Sequence, residues 1–121
     1  MYIRVVSTTS TVYSWLKSET NFNDATWSKT PYDKKLAFAQ SKLANILFTR
    51  ELALRTAETS VRTFCVDPVS GAFNWMTYFD IKVAKTIASF AKHLFLKSEE
   101  EEAQSIIYCC VEETIKDQSG R

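Results

Sequence analysis

Hydrophobic and polar positions along the chain predict two short strands that flank one long helix. Residues 2–8 are apolar and β-branched, which is typical of a buried strand. Residues 61–66 have the same character and end at Asp67 and Pro68. Between them, apolar side chains recur at helical spacing from a predicted cap at Asp33 to about residue 57. A strand, a helix and a strand in this order predict a parallel pair with a right-handed crossover.

The remaining segments predict a loop and two further helices. Residues 9–31 are rich in Ser, Thr, Asn and Asp and predict a long loop. Residues 81–97 predict an amphipathic helix with lysines on one side, which is typical either of a helix packed on a core or of one lying on a membrane surface. Ser98 is expected to cap a last helix, with four glutamates near its positive end, that runs to about residue 114.

The composition is that of an ordinary globular chain. Its 121 residues suffice for one domain, with 45% hydrophobic and 24% charged residues. A formal net charge of +1 argues against a general nucleic-acid binder. No uncharged apolar stretch of about 18 residues predicts a membrane span, and the first residues lack the pattern of a signal peptide.

The cysteines predict a reducing environment. Cys65, Cys109 and Cys110 form an odd set without CxxC spacing, and sequence neighbours rarely pair. We therefore expect buried thiols and an intracellular location.

Glycine is scarce, and this scarcity excludes one kind of site from these residues. Only Gly71 and Gly120 occur. A loop that cradles the phosphates of a dinucleotide needs several glycines at fixed spacing, because the backbone must approach the pyrophosphate closely. The 121 residues cannot supply such a loop by themselves.

Residues 36–48 carry the most specific motif of the chain. They resemble the catalytic helix of the short-chain dehydrogenases/reductases, in which a lysine follows a tyrosine by four residues. Lys42 matches that lysine, but Phe38 stands at the tyrosine position. The Gln-Ser-Lys-Leu-Ala-Asn run at 40–45 and the residues 47–53 are similar to the retinol-dehydrogenase-like branch of that family.

Three further stretches carry the resemblance along the chain. Residues 4–10 resemble the strand that ends in the catalytic serine, and 21–24 resemble the loop before the active-site helix. Residues 102–105 with Tyr108, and residues 119–120, resemble the C-terminal helix and the turn into the final strand. The implied fold is α/β, the C-terminal portion of a Rossmann-type doubly wound parallel sheet with two strands and about three to four helices. Residues 1–121 would then be an incomplete domain that lacks the dinucleotide-binding half, and we expect poor stability of such a piece alone.

The resemblance also implies roles for individual residues. Ser10 falls where the family's serine hydrogen-bonds the substrate carbonyl, with Thr9 as the alternative one position earlier. Lys42 falls where the family's lysine holds the nicotinamide ribose and assists the tyrosine. Phe38 has no proton to exchange, and general acid–base catalysis typically contributes about 10²- to 10⁴-fold. Tyr32 lies ten residues before Lys42 and off the required helix face, so it is a poor substitute.

The segment after the second predicted strand departs from the family as well. Asp67-Pro68-Val69 stands where the branch has His-Pro-Gly, so Pro68 and Val69 are the expected cofactor-wall positions. A valine would hinder the backbone approach that glycine permits. The family's nicotinamide-contacting threonine aligns with Phe73, unless Gly71 marks a shifted loop.

Two other chemistries receive less support. His93, the single histidine, falls at the polar edge of a predicted helix, which favours a surface role. A hydrolase dyad of Ser10 and Lys42 is conceivable, but no glycine motif for an oxyanion hole accompanies it.

Three hypotheses follow for function. By resemblance, the chain is part of an NADP-dependent oxidoreductase for a retinoid or another lipophilic alcohol or carbonyl compound, cytoplasmic or peripheral to the endoplasmic reticulum, and inactive as it stands. Alternatively, it is a non-catalytic pseudoenzyme that acts through association, for example a homodimer through helix 34–57. A third hypothesis is a short isoform or incomplete gene model without independent function.

Overall fold

Two parallel strands form the centre of the fold. The computed structural model describes residues 2–16, 22–68 and 99–121. Strand β1, Ile3–Thr8, pairs with strand β2, Val61–Val66, and the register runs from Ile3 opposite Val61 to Thr8 opposite Val66. Both predicted strands and their parallel pairing are confirmed. The architecture is α/β, as expected for part of a Rossmann-type domain.

Helix α1, Lys34–Arg55, connects the two strands. The Asp33 carboxylate accepts hydrogen bonds from the backbone N–H groups of Lys35 and Leu36, at 2.8 and 3.1 Å, and so satisfies two donors that the first turn leaves open. The cap is therefore where the sequence predicts it. The helix ends two residues before the predicted residue 57.

One face of α1 packs on the sheet through small and polar side chains. Ala39 and Thr49 are almost fully buried. Thr63 in β2 has no exposed surface, and its Oγ1 donates to the carbonyl oxygen of Thr49 at 3.0 Å. Thr49 in turn donates to the carbonyl oxygen of Asn45 at 2.8 Å. A buried hydroxyl needs a hydrogen-bond partner, and these bonds fix the position of α1 on β2.

Helix α2, Glu99–Val111, contacts both strands from the other face of the sheet. Arg4 lies opposite Arg62 in the register, next to the α1-facing Thr63, and therefore points to that other face. Its guanidinium donates to the carbonyl oxygens of Cys109 and Glu112, at 3.1 and 2.7 Å. The helix ends three residues before the predicted residue 114, and a 3₁₀ turn, Glu113–Ile115, follows.

The last residues run along the second edge of β2. The backbone N–H of Gly120 donates to the carbonyl of Thr63, and the N–H of Cys65 donates to the carbonyl of Arg121, both at 2.8 Å. Gly120 has a φ of 88°, and a Cβ there would lie 3.0 Å from the Cβ of Ala53. A glycine is therefore required for the close approach of this segment to α1. The sequence resemblance predicts a turn toward a strand at this place.

The predicted loop 9–31 contains two short 3₁₀ turns where it is described, Thr11–Trp15 and Phe22–Asp24. The predicted helix 81–97 and the predicted cap at Ser98 lie outside the described residues. In the parts of the chain that the structure describes, neither helix combines the length and the apolar character needed to cross a membrane.

Candidate active-site remnant at the strand ends

The carboxyl end of β1 is joined to the middle of α1 by two hydrogen bonds and to the end of β2 by a third. Asn45 Nδ2 donates to the carbonyl oxygen of Thr8 at 2.8 Å. Thr9 Oγ1 donates to the carbonyl oxygen of Lys42 at 3.0 Å, and the Thr9 backbone N–H donates to the carbonyl of Val66 at 2.8 Å. Open α/β sheets bind their ligands outside the carboxyl ends of the strands. Residues that the sequence singles out therefore come together at the edge where chemistry is expected.

Ser10 and Thr9 differ in what their hydroxyls do. The Thr9 hydroxyl is used to hold α1, as just described. Ser10 is half-buried with extended backbone, and its side chain does not cap the following 3₁₀ turn. Only its carbonyl takes part there, accepting from the N–H of Tyr13 at 3.2 Å. Of the two predicted alternatives, Ser10 is the one whose hydroxyl is not used to hold α1.

Phe38 and Lys42 lie on one face of α1, one turn apart. The Nζ atom of Lys42 is 5.3 Å from the centroid of the Phe38 ring, within the range of a cation–π contact. Both residues are half-buried. The lysine thus faces an aromatic ring that attracts its charge and offers neither a proton nor an oxygen.

The pKa of the Cys65 thiol shows which charges act at the end of β2. Burial raises the pKa of its thiol, and the charge of Asp67 acts in the same direction. A hydrogen bond with Thr49 and the positive charge of Lys42 oppose this rise. Lys42 therefore acts electrostatically on the end of β2 as well as on Phe38. The three cysteines are free, but none is buried as predicted: Cys65 and Cys109 are half-buried, and Cys110 is exposed.

Asp67 has a role that the sequence did not reveal. Its Oδ2 accepts a hydrogen bond from the backbone N–H of Thr11 at 2.7 Å and so links the segment that follows β2 to the segment that follows β1. The available signal was a carboxylate directly after a strand, opposite a loop with open N–H groups. Pro68 follows it and is half-buried. The predicted positions Val69, Gly71, Phe73 and His93 lie outside the described residues.

Tyr32 lies before the start of α1 and packs against Trp27, with ring centroids 5.7 Å apart and an interplanar angle of 77°. Its side of the loop is open to solvent, since 70% of the residue is exposed. The structure therefore gives this phenol an aromatic neighbour outside the predicted site.

A cleft of about 310 Å³ lies beside β2 and α2. Its lining is mostly apolar and includes Phe64, Val66, Tyr108 and Ile115. Cys65 and Asp67 also border it, so the cleft begins at the same strand end. Among the described residues, no group of three or more His, Cys, Asp or Glu side chains could hold a metal ion.

Comparison with known proteins gives a consistent group of relatives. No family model and no solved structure matches the chain. Retinol dehydrogenase 14 of Mus musculus is 34% identical over 119 residues, which are 98% of this chain and 35% of that protein. Retinol dehydrogenase 14 of Homo sapiens is also 34% identical, over 98% of this chain and 34% of that protein. Retinol dehydrogenase 11 of Mus musculus is 37% identical over 74% of this chain and 27% of its own length. The chain thus spans about a third of the length of these curated relatives.

Proposed function

Because the chain is homologous to retinol dehydrogenases over 98% of its length, we propose that it derives from a short-chain dehydrogenase/reductase that uses NADP(H). The substrate would be a retinoid or another lipophilic alcohol or carbonyl compound. The strand–helix–strand unit with Lys42 and Asn45 at the carboxyl end of β1 supports this origin. The names of the relatives supply the substrate class.

In that site, Ser10 would hydrogen-bond the substrate oxygen, and Lys42 would donate to the ribose of the nicotinamide. Pro68 and Val69 would form part of the cofactor wall. When bound, the cofactor would supply or accept the hydride. The residues fit this cofactor only in part: Lys42 is a suitable donor, but the 121 residues contain no glycine-rich phosphate loop.

We further propose that the protein carrying these residues is catalytically impaired, and Phe38 is the observation that carries this proposal. The Phe38 ring lies next to Lys42, and in the proposed site a phenol at this place would exchange a proton with the substrate oxygen. Removal of a general acid–base typically costs about 10²- to 10⁴-fold in rate. We also expect the 121-residue chain to show no micromolar affinity for NADPH.

Two measurements test these statements. Titration of NADPH into the purified chain, followed by cofactor fluorescence, should show no saturation in the micromolar range, and saturation there would contradict the binding proposal. For the chemistry, reduction of retinal is measured at millimolar NADPH, so that the weak binding proposed above does not hide the rate, and it should be faster for Phe38→Tyr than for the unaltered protein. The matched control is Phe48→Tyr, because Phe48 lies on the same helix and is 53% exposed. Equal rates for the unaltered protein and Phe38→Tyr, at a measurable level, would exclude Phe38 as the cause.

The second candidate function is association without catalysis, through a homodimer formed by α1. Leu36, Leu47 and Leu54 are exposed by 39%, 45% and 75%. Their spacings of 11 and 7 residues place them on one stripe of the helix, away from the buried Thr49. An exposed apolar stripe of this kind is typical of a surface that packs on another helix.

Light scattering after size-exclusion chromatography tests the association. A dimer is expected for the unaltered chain and a monomer for the double variant Leu47→Lys and Leu54→Lys. Ser41→Lys, on another exposed side of α1, is the control and should remain dimeric. A monomer at every concentration would contradict the proposal. A peripheral membrane contact through residues 81–97, and a location in the cytoplasm or at the endoplasmic reticulum, stay predictions that fractionation of cells can test.

A further inference from the structure

The loop before α1 is organised around one buried carboxylate. Asp24 is 5% exposed. Its Oδ1 accepts from the backbone N–H and the hydroxyl of Ser28, at 2.8 and 3.1 Å. Its Oδ2 accepts from the backbone N–H and the hydroxyl of Thr30, at 3.0 and 2.7 Å, and the N–H of Lys29 is 3.2 Å from both oxygens. Every contact that the carboxylate makes here is with a donor.

This arrangement requires a negative carboxylate and a donating Thr30. The hydroxyl of Thr30 is the first cause of the lowered pKa of Asp24, ahead of the backbone N–H groups, while burial acts against it. A group at position 30 that only accepts hydrogen bonds would face the two carboxylate oxygens directly. The loop therefore depends on the chemical state of a single hydroxyl.

Thr30 also has the surroundings of a modifiable residue. It is exposed as a residue, although its hydroxyl points to Asp24. Pro31 follows it, and a residue before proline is kept out of the helical region of the backbone. The chain has two prolines, and the other, Pro68, follows an aspartate. Thr30 is thus the one hydroxyl residue of the sequence that precedes a proline.

We propose that Thr30 is a phosphorylation site for a proline-directed protein kinase, and that its phosphorylation releases the Asp24-centred loop. In the reaction, Thr30 Oγ1 attacks the γ-phosphorus of ATP, the bond between that phosphorus and the ADP oxygen breaks, and the hydroxyl proton passes to a carboxylate of the kinase. The product carries about −1.5 to −2 charges at pH 7 and has lost its O–H donor. The 2.7 Å bond to Asp24 is then replaced by repulsion between two anions.

The expected consequence is local. Trp27 has a positive φ of 56° and packs against Tyr32, and both lie within or beside the loop that Asp24 closes. A non-glycine residue keeps such a backbone conformation only where its surroundings impose it. Release of Asp24 should therefore free the Trp27–Tyr32 pair. Helix α1 should persist, because Asp33 caps it independently.

The first test is chemical. The purified chain is incubated with a proline-directed kinase of the cyclin-dependent class and Mg²⁺–ATP, and phosphate is located by fragment mass spectrometry. One phosphate on Thr30 is expected, with none there in Thr30→Val or Pro31→Ala. Ser28→Ala is the matched control, because Ser28 contacts the same carboxylate but precedes Lys29, and it should be modified normally. Absence of phosphate on Thr30 in the unaltered chain overturns the proposal.

The second test measures whether the conformation of the loop changes. Near-ultraviolet circular dichroism should change when Thr30 is phosphorylated, and this change should be missing in Trp27→Phe. The far-ultraviolet signal of the helices should stay constant. Stoichiometric phosphorylation without a change in the Trp27 signal would overturn the proposed release. Because only the loop is changed, neither result bears on the proposed origin of the chain or on the proposed impairment of its site.

Discussion

Replacement of Arg4 by methionine should strongly destabilise the fold, because Arg4 joins the sheet to the end of α2. The guanidinium donates to the carbonyl of Cys109, in the last turn of α2, where helix carbonyls lack intrahelical partners, and to the carbonyl of Glu112, directly after the helix. The side chain is only 9% exposed, whereas Glu113, its partner in a 3.6 Å ion pair, is 77% exposed. Methionine keeps the apolar stem and removes only the charged fork.

The size of the effect follows from these contacts. A hydrogen bond from a charged group contributes about 1.5–3 kcal/mol, and two would give about 3–6 kcal/mol if they were independent. The two bonds share one guanidinium, and water can reach half-buried carbonyls, so about 3 kcal/mol is expected. The ion pair with Glu113 should contribute less than about 1 kcal/mol, because that carboxylate is solvated.

Urea denaturation followed by circular dichroism measures these losses, with a stabilising osmolyte in every sample if the chain is marginal alone. Arg4→Lys should fall between the unaltered protein and Arg4→Met, since an ammonium keeps the charge but not the fork. Glu113→Gln is the control and should change stability little. An Arg4→Met loss no larger than that of Glu113→Gln would refute the view that the carbonyl bonds, rather than the ion pair, hold α2.

Three further predictions address other contacts. Gly120→Ala should cost about 1–2 kcal/mol from its left-handed backbone alone and should speed amide hydrogen exchange at Cys65. Adding Ala53→Gly should relieve only the steric part of the cost, and unchanged exchange at Cys65 would contradict the close packing of this segment. Thr63→Val keeps the volume of threonine and should cost about 1 kcal/mol in urea denaturation through the lost bond to α1. Thr63→Ser keeps the bond and tests the methyl group separately, and a Thr63→Val variant as stable as the unaltered chain would contradict the role of the bond. Asp24 has a pKa below its usual 3.8, so its stabilising effect is present above that pH and is lost as the pH falls through the lowered value. Asp24→Asn should reduce the loss of stability at acid pH, and an unchanged loss would argue against this linkage.

The fold was predictable from the sequence where one local signal decides the outcome. Strand β2 and the Asp33 cap were predictable because β-branched residues and a capping carboxylate act over a few neighbours. The end of α2 was not, because it depends on Arg4, which is more than a hundred residues away and is selected by the sheet. The 3₁₀ turns of the loop were likewise hidden: the N–H of Thr11 at the start of the first turn donates to the distant Asp67, and the second turn ends at Asp24, onto which Ser28 and Thr30 fold back. Long-range polar contacts of this kind leave no periodic pattern.

At the candidate site, the sequence identified residue types and the structure added their partners. The choice between Ser10 and Thr9 could not be made from the sequence, because the two are adjacent hydroxyl residues. It becomes a structural distinction once the Thr9 hydroxyl is seen to bind the carbonyl of Lys42. The role of Asp67 was not predictable from the resemblance, because the family has a histidine at this position. In the structure, its carboxylate accepts a hydrogen bond from the backbone N–H of Thr11, shortly after the end of β1.

The contacts that position α1 do not depend on the side chain at position 38. Thr9 binds the backbone carbonyl of Lys42, and Asn45 binds the carbonyl of Thr8, so neither bond involves the side chain of Phe38. Exchange of a tyrosine for phenylalanine at position 38 would therefore leave the position of the helix unchanged, since only one oxygen is removed and the ring still contacts Lys42. Under the proposed origin, loss of a proton donor and retention of the fold would be compatible in this geometry. A helix whose sequence and position persist can for this reason indicate descent from a dehydrogenase without indicating that the activity persists.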